Sequence, residues 1–240
     1  MSGRAMGGIK GVLFDKDGTL LDYRATWMPL NRMAALAVAD GDEALSGRLL
    51  AAGGYEAAYD RVGAEAPLAA GNTREIAAAW RPLVPARPLD DLVALIDGVF
   101  QAEGPDRAVP VPGLHGALTG LKARGLCLGV ASSDSHQGIA GSLGRLGVVE
   151  LFDYLAGYDS GHGVKPGPGM VMGFRAAGGL APGEVAVVGD TPHDMEMGRR
   201  AGAALCVGVL TGTGTRDDLA RAADFVLDGI ADLAALLDRL

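Results

Sequence analysis

The strongest constraint on the fold is a recurrence. Short apolar runs each break off at a cluster of polar residues, and helical patterns lie between them. The runs fall at residues 9–14 (IKGVLF), 126–131 (LCLGVA), 185–188 (VAVV), 204–209 (ALCVGV) and 225–227 (FVL), with a weaker one at 154–157. They are short, apolar throughout and bounded by turn residues, which is the pattern of strands buried on both faces. Helical patterns occupy 113–124, 136–146, 168–177, 194–201, 215–222 and 229–240. This alternation predicts an α/β fold: a doubly wound, Rossmann-like parallel sheet with helices on both sides.

Residues 23–104 break the rhythm. Helical patterns follow one another there at 26–39, 42–51, 73–80 and 89–101 with no strand-like run of comparable strength. In the first, Trp27, Leu30, Met33, Ala34 and Ala37 recur at the spacing of one buried helix face. Proline-rich stretches at 82–88 and 105–112 punctuate the region, and the second predicts the return to the sheet. The expected organisation is a core of residues 1–22 and 105–240, with a helical cap of residues 23–104 inserted after the first strand.

Composition narrows the function. A hydrophobic share of 49% and a mean hydropathy of +0.22 exclude a disordered chain. The net charge of −8 and the scattered Lys and Arg residues argue against nucleic acid as a partner. No apolar stretch approaches the length of a membrane span, and the opening MSGRAMGGIK lacks the apolar segment of a secretory signal. A cytoplasmic protein is expected, as a monomer or a homodimer. Cys127 and Cys206 sit in apolar runs and are expected as buried small hydrophobes, forming neither a disulfide nor a zinc site.

In open parallel sheets, ligands bind at the carboxyl ends of the strands. Three runs end in groups whose chemistry converges. They are Asp15-Lys16-Asp17-Gly18-Thr19, Ser132-Ser133-Asp134, and Gly189-Asp190-Thr191-Pro192-His193-Asp194, with Val164-Lys165-Pro166 ahead of the third strand. Carboxylates gathered at one sheet edge repel each other, and a divalent cation removes the conflict. Oxygen-only ligands suit Mg²⁺, which also binds substrate phosphate. Period-two geometry is expected to send Asp15 and Asp17 to one side and Lys16 away. Two adjacent carboxylates can divide roles, one ionised and one protonated. Gly18 permits a turn that offers backbone N–H groups to a phosphate.

FDKDGTL, the serine after LGVA, the lysine of KPGP, and GDTPHD together resemble the ordered motifs of the haloacid dehalogenase-like hydrolases. The phosphoglycolate phosphatase-like branch, which also inserts a helical cap after its first strand, is the nearest. The resemblance implies a Mg²⁺-dependent phosphatase acting on a small phosphorylated metabolite, phosphoglycolate-like or a sugar phosphate. It implies that Asp15 is the nucleophile that becomes an aspartyl-phosphate, and that Asp17 is the acid and base, its carbonyl on the metal. Ser132 and the backbone by Ser133 would bind phosphate, and Lys165 would neutralise Asp15 and the phosphate. Asp190 would ligate Mg²⁺, with Asp194 as a second ligand or the holder of a metal water. Gly169 stands where the branch commonly carries an aspartate, a change expected to loosen Lys165.

Other readings stand beside these. Asp194 could cap the following helix. His193 could touch substrate or solvent. Thr211-Gly-Thr-Gly-Thr215 suggests a phosphate loop but lacks its spacing and lysine, so it reads as a turn. Arg24 and Trp27 could face the substrate, with a core role the stronger reading for Trp27. A dehalogenase has no need of Asp17, and Thr19 leans away from a sugar phosphomutase. A non-enzymatic phosphate-binding module would not need Asp15, Asp17, Lys165 and Asp190 intact.

Overall fold

A computed structural model describes residues 8–240. The strand β1 (Gly11–Phe14) leads into a helical segment: α1 (Tyr23–Val38), α2 (Glu43–Ala52), the two-residue strands β2 (Tyr55–Glu56) and β3 (Arg61–Val62), α3 (Pro67–Ala70), α4 (Thr73–Trp80) and α5 (Leu89–Arg107). Then strands and helices alternate: α6 (Leu114–Ala123), β4 (Cys127–Ala131), α7 (His136–Arg145), β5 (Tyr154–Ala156), α8 (Gly169–Gly178) and β6 (Val185–Gly189). The chain finishes through α9 (Pro192–Arg200), β7 (Leu205–Val209), α10 (Arg216–Ala220), β8 (Phe225–Leu227) and α11 (Leu233–Leu237).

The main sheet has six strands in the order β5-β4-β1-β6-β7-β8, all parallel. From β1 the chain steps outward to β4 and β5, then crosses back to β6, so the strand order reverses beside β1. That is where an open sheet forms its crevice. Register fixes the site: Phe14 pairs with Val130 on one side and Val188 on the other. The polar residues that follow these three strands therefore emerge together.

Alternating residues of each strand enter separate apolar layers. Val12, Phe14, Val130 and Val188 join one, closed by α6, α7 and α11. Leu13, Val187, Cys206 and Ala131 join the other, under α8 and α9. Burial on both faces explains why the strands read as continuous apolar runs. Cys206 is buried, as expected, whereas Cys127 is only half-buried at the start of β4; both are free thiols.

A third apolar cluster lies wholly within residues 23–100, centred on Leu30, Leu49, Trp80, Leu92 and Ile96. Local chemistry starts its helices. Asp22 and Asp42 accept from the N–H groups of Ala25 and Leu45, and Asn72 and Glu75 form a reciprocal capping box at α4.

The structure departs from the expectations in several places. The buried side of α1 is broad, including Tyr23, Leu30, Asn31, Ala34, Ala35 and Val38, while Trp27, Met33 and Ala37 are only half-buried at its margin. The reason is that α1 packs on both α2 and α5. The helix expected at 89–101 continues through Pro105 to Arg107, so the residue 104/105 boundary falls inside α5, which packs on both α1 and α7. The expected terminal helix at 229–240 is one 3₁₀ turn, Ile230–Asp232, followed by the short α11. The β2–β3 hairpin and α3 carried no sequence signal strong enough to place them, because such short elements have no measurable period.

Candidate active site

β1 delivers Asp15, whose N–H donates to Val188 O at 2.8 Å. Beyond it the chain turns at once: the carbonyl of Lys16 accepts from the N–H groups of Leu20 and Leu21 at 2.8 and 2.9 Å. Strand alternation therefore stops at Phe14, and the expectation for Lys16 needs correcting. Its side chain is buried, with Nζ 2.9 Å from both Asp17 Oδ1 and Asp134 Oδ2. Burial alone would depress the Lys16 pKa, but the two carboxylates outweigh it and hold the ammonium charged. Asp17 still reaches the cleft, its Oδ2 accepting from Ser132 Oγ at 3.4 Å.

The centre of the site is Lys165. It is 9% exposed, and Nζ lies 2.5 Å from Asp15 Oδ1 and 2.6 Å from Asp194 Oδ1. Burial is again overcome by the paired carboxylates, so the pKa of Lys165 rises. Asp15 also titrates higher than a free carboxylate. Burial pushes it up to about 7, with repulsion from Asp194 and Asp17 added, although Lys165 opposes the shift. Asp190 is raised well above the carboxylate range too, first by burial and then by the charges of Asp15 and Asp194. Gly169 offers Lys165 no carboxylate, and the lysine pairs with Asp15 and Asp194 instead.

Asp194 does cap α9, and it does so while facing the site. One oxygen takes Lys165, and the other accepts from Thr191 N at 3.1 Å and Thr191 Oγ1 at 2.7 Å. The capped helix holds the carboxylate in place.

The 211–215 segment is a turn, as expected, with a role its sequence did not announce. Thr213 N donates to Asp190 Oδ2 at 2.8 Å, and Thr211 Oγ1 donates to Gly18 O at 2.6 Å. The turn thus ties Asp190 to the bend that carries Asp17. Its closeness demands glycine: a Cβ on Gly212 would lie 1.9 Å from Asp190 Oδ2. Gly18, at φ +98°, would place a Cβ 2.5 Å from the same oxygen. Thr211, Gly212, Thr213, Lys16 and Asp134 are the positioning residues that sequence reasoning missed. Only a spatial view pairs a buried lysine or a distant turn with its carboxylate.

These groups floor a cleft of about 40 Å³. Ser132 and Ser133 line its core side; Ser132 Oγ accepts from Asp134 N at 3.1 Å, and Ser133 Oγ donates to Ala70 O at 2.9 Å, reaching the helical segment. Trp27, Leu68, Ile76 and Phe100 form the opposite wall. Trp27 meets Phe100 edge to face at 4.9 Å, so it serves both the apolar cluster and the cleft. His193 lines the cleft too, with Nδ1 buried and unpartnered. Arg24 does not line it; it pairs with Asp60 at the surface.

The residues present fit a divalent cation. Asp15, Asp190 and Asp194 each offer an oxygen within 4.8 Å of the others. Asp15 Oδ2 and Asp190 Oδ1 are buried without a hydrogen-bond partner, an unfavourable state that a hard cation between them would relieve. The donor set is oxygen alone, which suits Mg²⁺. The Asp17 carboxylate, turned to Lys16 and Ser132, stands outside this trio.

The doubly wound sheet thus carries a lysine-bridged acidic cluster at its carboxyl edge. The haloacid dehalogenase-like hydrolase family profile matches residues 9–202, and the chain belongs to that family. A phosphoglycolate phosphatase of Photorhabdus laumondii is 27% identical over 239 residues, 99% of this chain and 96% of that protein. Another, from Synechococcus elongatus, is 32% identical over 130 residues, 54% of this chain and 59% of that protein. A haloacid dehalogenase-like hydrolase structure from Bacteroides fragilis superposes with a TM-score of 0.75 at 19% identity, covering 94% of this chain and 99% of that one. Within the family the chain sits with the phosphoglycolate phosphatase-like branch, and it is a phosphoric monoester hydrolase. Among the described residues no helix is long and apolar enough to cross a membrane.

Proposed function

We propose that the protein hydrolyses a small phosphorylated metabolite with Mg²⁺, through an aspartyl-phosphate on Asp15. The observation that carries this reading is Lys165 Nζ held at 2.5 and 2.6 Å between Asp15 and Asp194, beside the unpartnered oxygens of Asp15 and Asp190. Such an arrangement neutralises a nucleophile while leaving its carboxylate available at the cleft.

In the proposed reaction, an Asp15 oxygen attacks phosphorus and the bond from phosphorus to the leaving oxygen breaks. Asp17 gives its proton to that oxygen, so a neutral alcohol departs. Asp17 then takes a proton from water, whose oxygen attacks phosphorus, releasing inorganic phosphate and restoring Asp15. Ser132 and the backbone at Ser133 hold phosphate oxygens, and Lys165 balances the charge on Asp15 and the phosphate. Asp15, Asp190, Asp194 and the backbone carbonyl of Asp17 would hold Mg²⁺. Bound Mg²⁺ would supply positive charge against the phosphate oxygens. Residues 23–104 act as the cap that covers the cleft. The protein is read as cytoplasmic, monomeric or homodimeric, acting on a free metabolite.

The phosphomutase alternative shares this machinery and differs in transferring the phosphoryl group back to a sugar. The test is phosphate release from p-nitrophenyl phosphate with Mg²⁺ and with chelator, alongside Asp15→Asn. Full activity after exhaustive chelation, or in Asp15→Asn, would refute the reading. Conversion of a sugar phosphate to its isomer without net phosphate release would favour the mutase.

A further inference from the structure

Resting on the phosphatase reading above, we propose that the natural substrate is the phosphate ester of an uncharged, mainly apolar alcohol, and not of a hydroxy acid or polyol. The side chains that residues 23–104 present to the cleft are Trp27, Leu68, Ala69, Ile76 and Phe100, with Ala70 and Gly71 adding little beyond backbone. Among the described residues, no Lys, Arg or His of this segment lines the cleft. Its two polar side chains there are already committed: Tyr23 Oη donates to Leu68 O at 2.7 Å, and Thr73 Oγ1 donates to Asp97 Oδ1 at 2.6 Å.

On the core side the charges are assigned as well. Lys165 serves Asp15 and Asp194, and Ser133 Oγ serves Ala70 O. Among the described residues, the buried side-chain nitrogens that line the cleft without a partner are Trp27 Nε1 and His193 Nδ1. A carboxylate on the leaving group would enter a cleft lined by Asp15, Asp17, Asp134, Asp190 and Asp194, and Lys16 and Lys165 are each already shared by a pair of these carboxylates. Such like-charge burial is strongly rejected. A polyol would bring several hydroxyls against a wall of Trp27, Leu68, Ile76 and Phe100 whose one unpartnered polar atom is the Trp27 indole nitrogen, leaving the others desolvated and unpaired there. An aromatic or branched alcohol would instead pack on Trp27, Phe100, Leu68 and Ile76, and its one polar atom could meet the Trp27 indole.

The test compares kcat/KM, with Mg²⁺ present, for benzyl phosphate, 3-methylbutyl phosphate, glycerol 3-phosphate and 2-phosphoglycolate. None has an activated leaving group, so the differences report the wall. The apolar esters should exceed phosphoglycolate by about 100-fold or more and glycerol phosphate by at least about tenfold. Equal or reversed preference, or turnover of none of the four by an enzyme that cleaves p-nitrophenyl phosphate, overturns the inference and spares the phosphatase reading. Failure on p-nitrophenyl phosphate as well overturns both. Ala69→Arg, on the half-buried face of α3, places a cation in the wall. It should shift the ratio toward phosphoglycolate by about tenfold or more, and because a ratio is read, partial unfolding does not mimic the result. An unmoved ratio would also overturn the inference.

Discussion

At the scale of single residues, the site depends on buried charges whose partners are few. Asp15→Asn should abolish turnover, because an amide cannot form the acyl phosphate. It should also change stability. Since burial lifts the Asp15 carboxyl to about 7, its ionised form is the unfavourable one in the fold. The stability tied to the neutral form is complete below the ordinary carboxyl value of about 4 and is lost as pH rises through 7. In chelator-treated protein, Asp15→Asn should therefore melt above the parent by a margin that widens from about pH 5 to about pH 7.5 and then levels off. A margin independent of pH would contradict the assignment. Asp17→Asn should slow alkyl phosphates about 10²–10⁴-fold more than nitrophenyl phosphate, whose leaving group departs unprotonated. Equal losses on both, with no phosphoenzyme trapped by mass spectrometry, would refute its role as the acid. Lys16→Met leaves Asp17 and Asp134 facing each other without their shared cation, a loss of about 3–5 kcal/mol read by denaturant unfolding.

At the scale of elements, the turn after β7 is a positioning device. It grips Asp190 through the Thr213 N–H and grips the bend after β1 through Thr211 Oγ1. Gly212→Ala drives a methyl against Asp190 Oδ2, where the space is 1.9 Å. The carboxylate must shift, and the Mg²⁺ concentration for half-maximal activity should rise about tenfold or more, the scale seen when groups that orient metal ligands are altered. Thr211→Val removes one hydrogen bond, worth about 1 kcal/mol, and should alter the Mg²⁺ requirement far less. A Gly212→Ala enzyme with unchanged Mg²⁺ dependence would show that Asp190 is not the ligand.

At the scale of the whole molecule, the sheet gathers carboxylates that disfavour each other, and the bound cation is expected to offset that cost. Mg²⁺ at about 100 times its dissociation constant adds about 2.7 kcal/mol of stability. For a chain of this size that is a rise in Tm of roughly 5–10 °C. The rise should vanish in Asp190→Asn and with chelator; an equal rise in that variant would move the metal elsewhere. The helical segment meets the core at Ser133–Ala70 and at Tyr158, whose hydroxyl donates to Asp97 at 2.8 Å. These contacts close the apolar wall over the floor.

The sequence by itself determined the parallel sheet and the strand ends that carry Asp15, Ser132 and Asp190, because an apolar run buried on two faces and the polar residue that stops it are both local facts. It also marked Lys165 and Asp194, since their motifs recur in a fixed order. What it could not determine was which charge answers which. Lys16 looked like a residue pointing away because strand alternation was carried one turn too far, and its pairing with Asp134 spans a long stretch of chain. The Thr211–Thr215 turn looked idle because its partner, Asp190, is near it only after β6 and β7 pair. The uncharged wall of the cleft was equally hidden, since Trp27, Leu68, Ile76 and Phe100 come from separate helices and meet only through packing. Periodicity records what each element buries; only tertiary contact decides what the buried groups face.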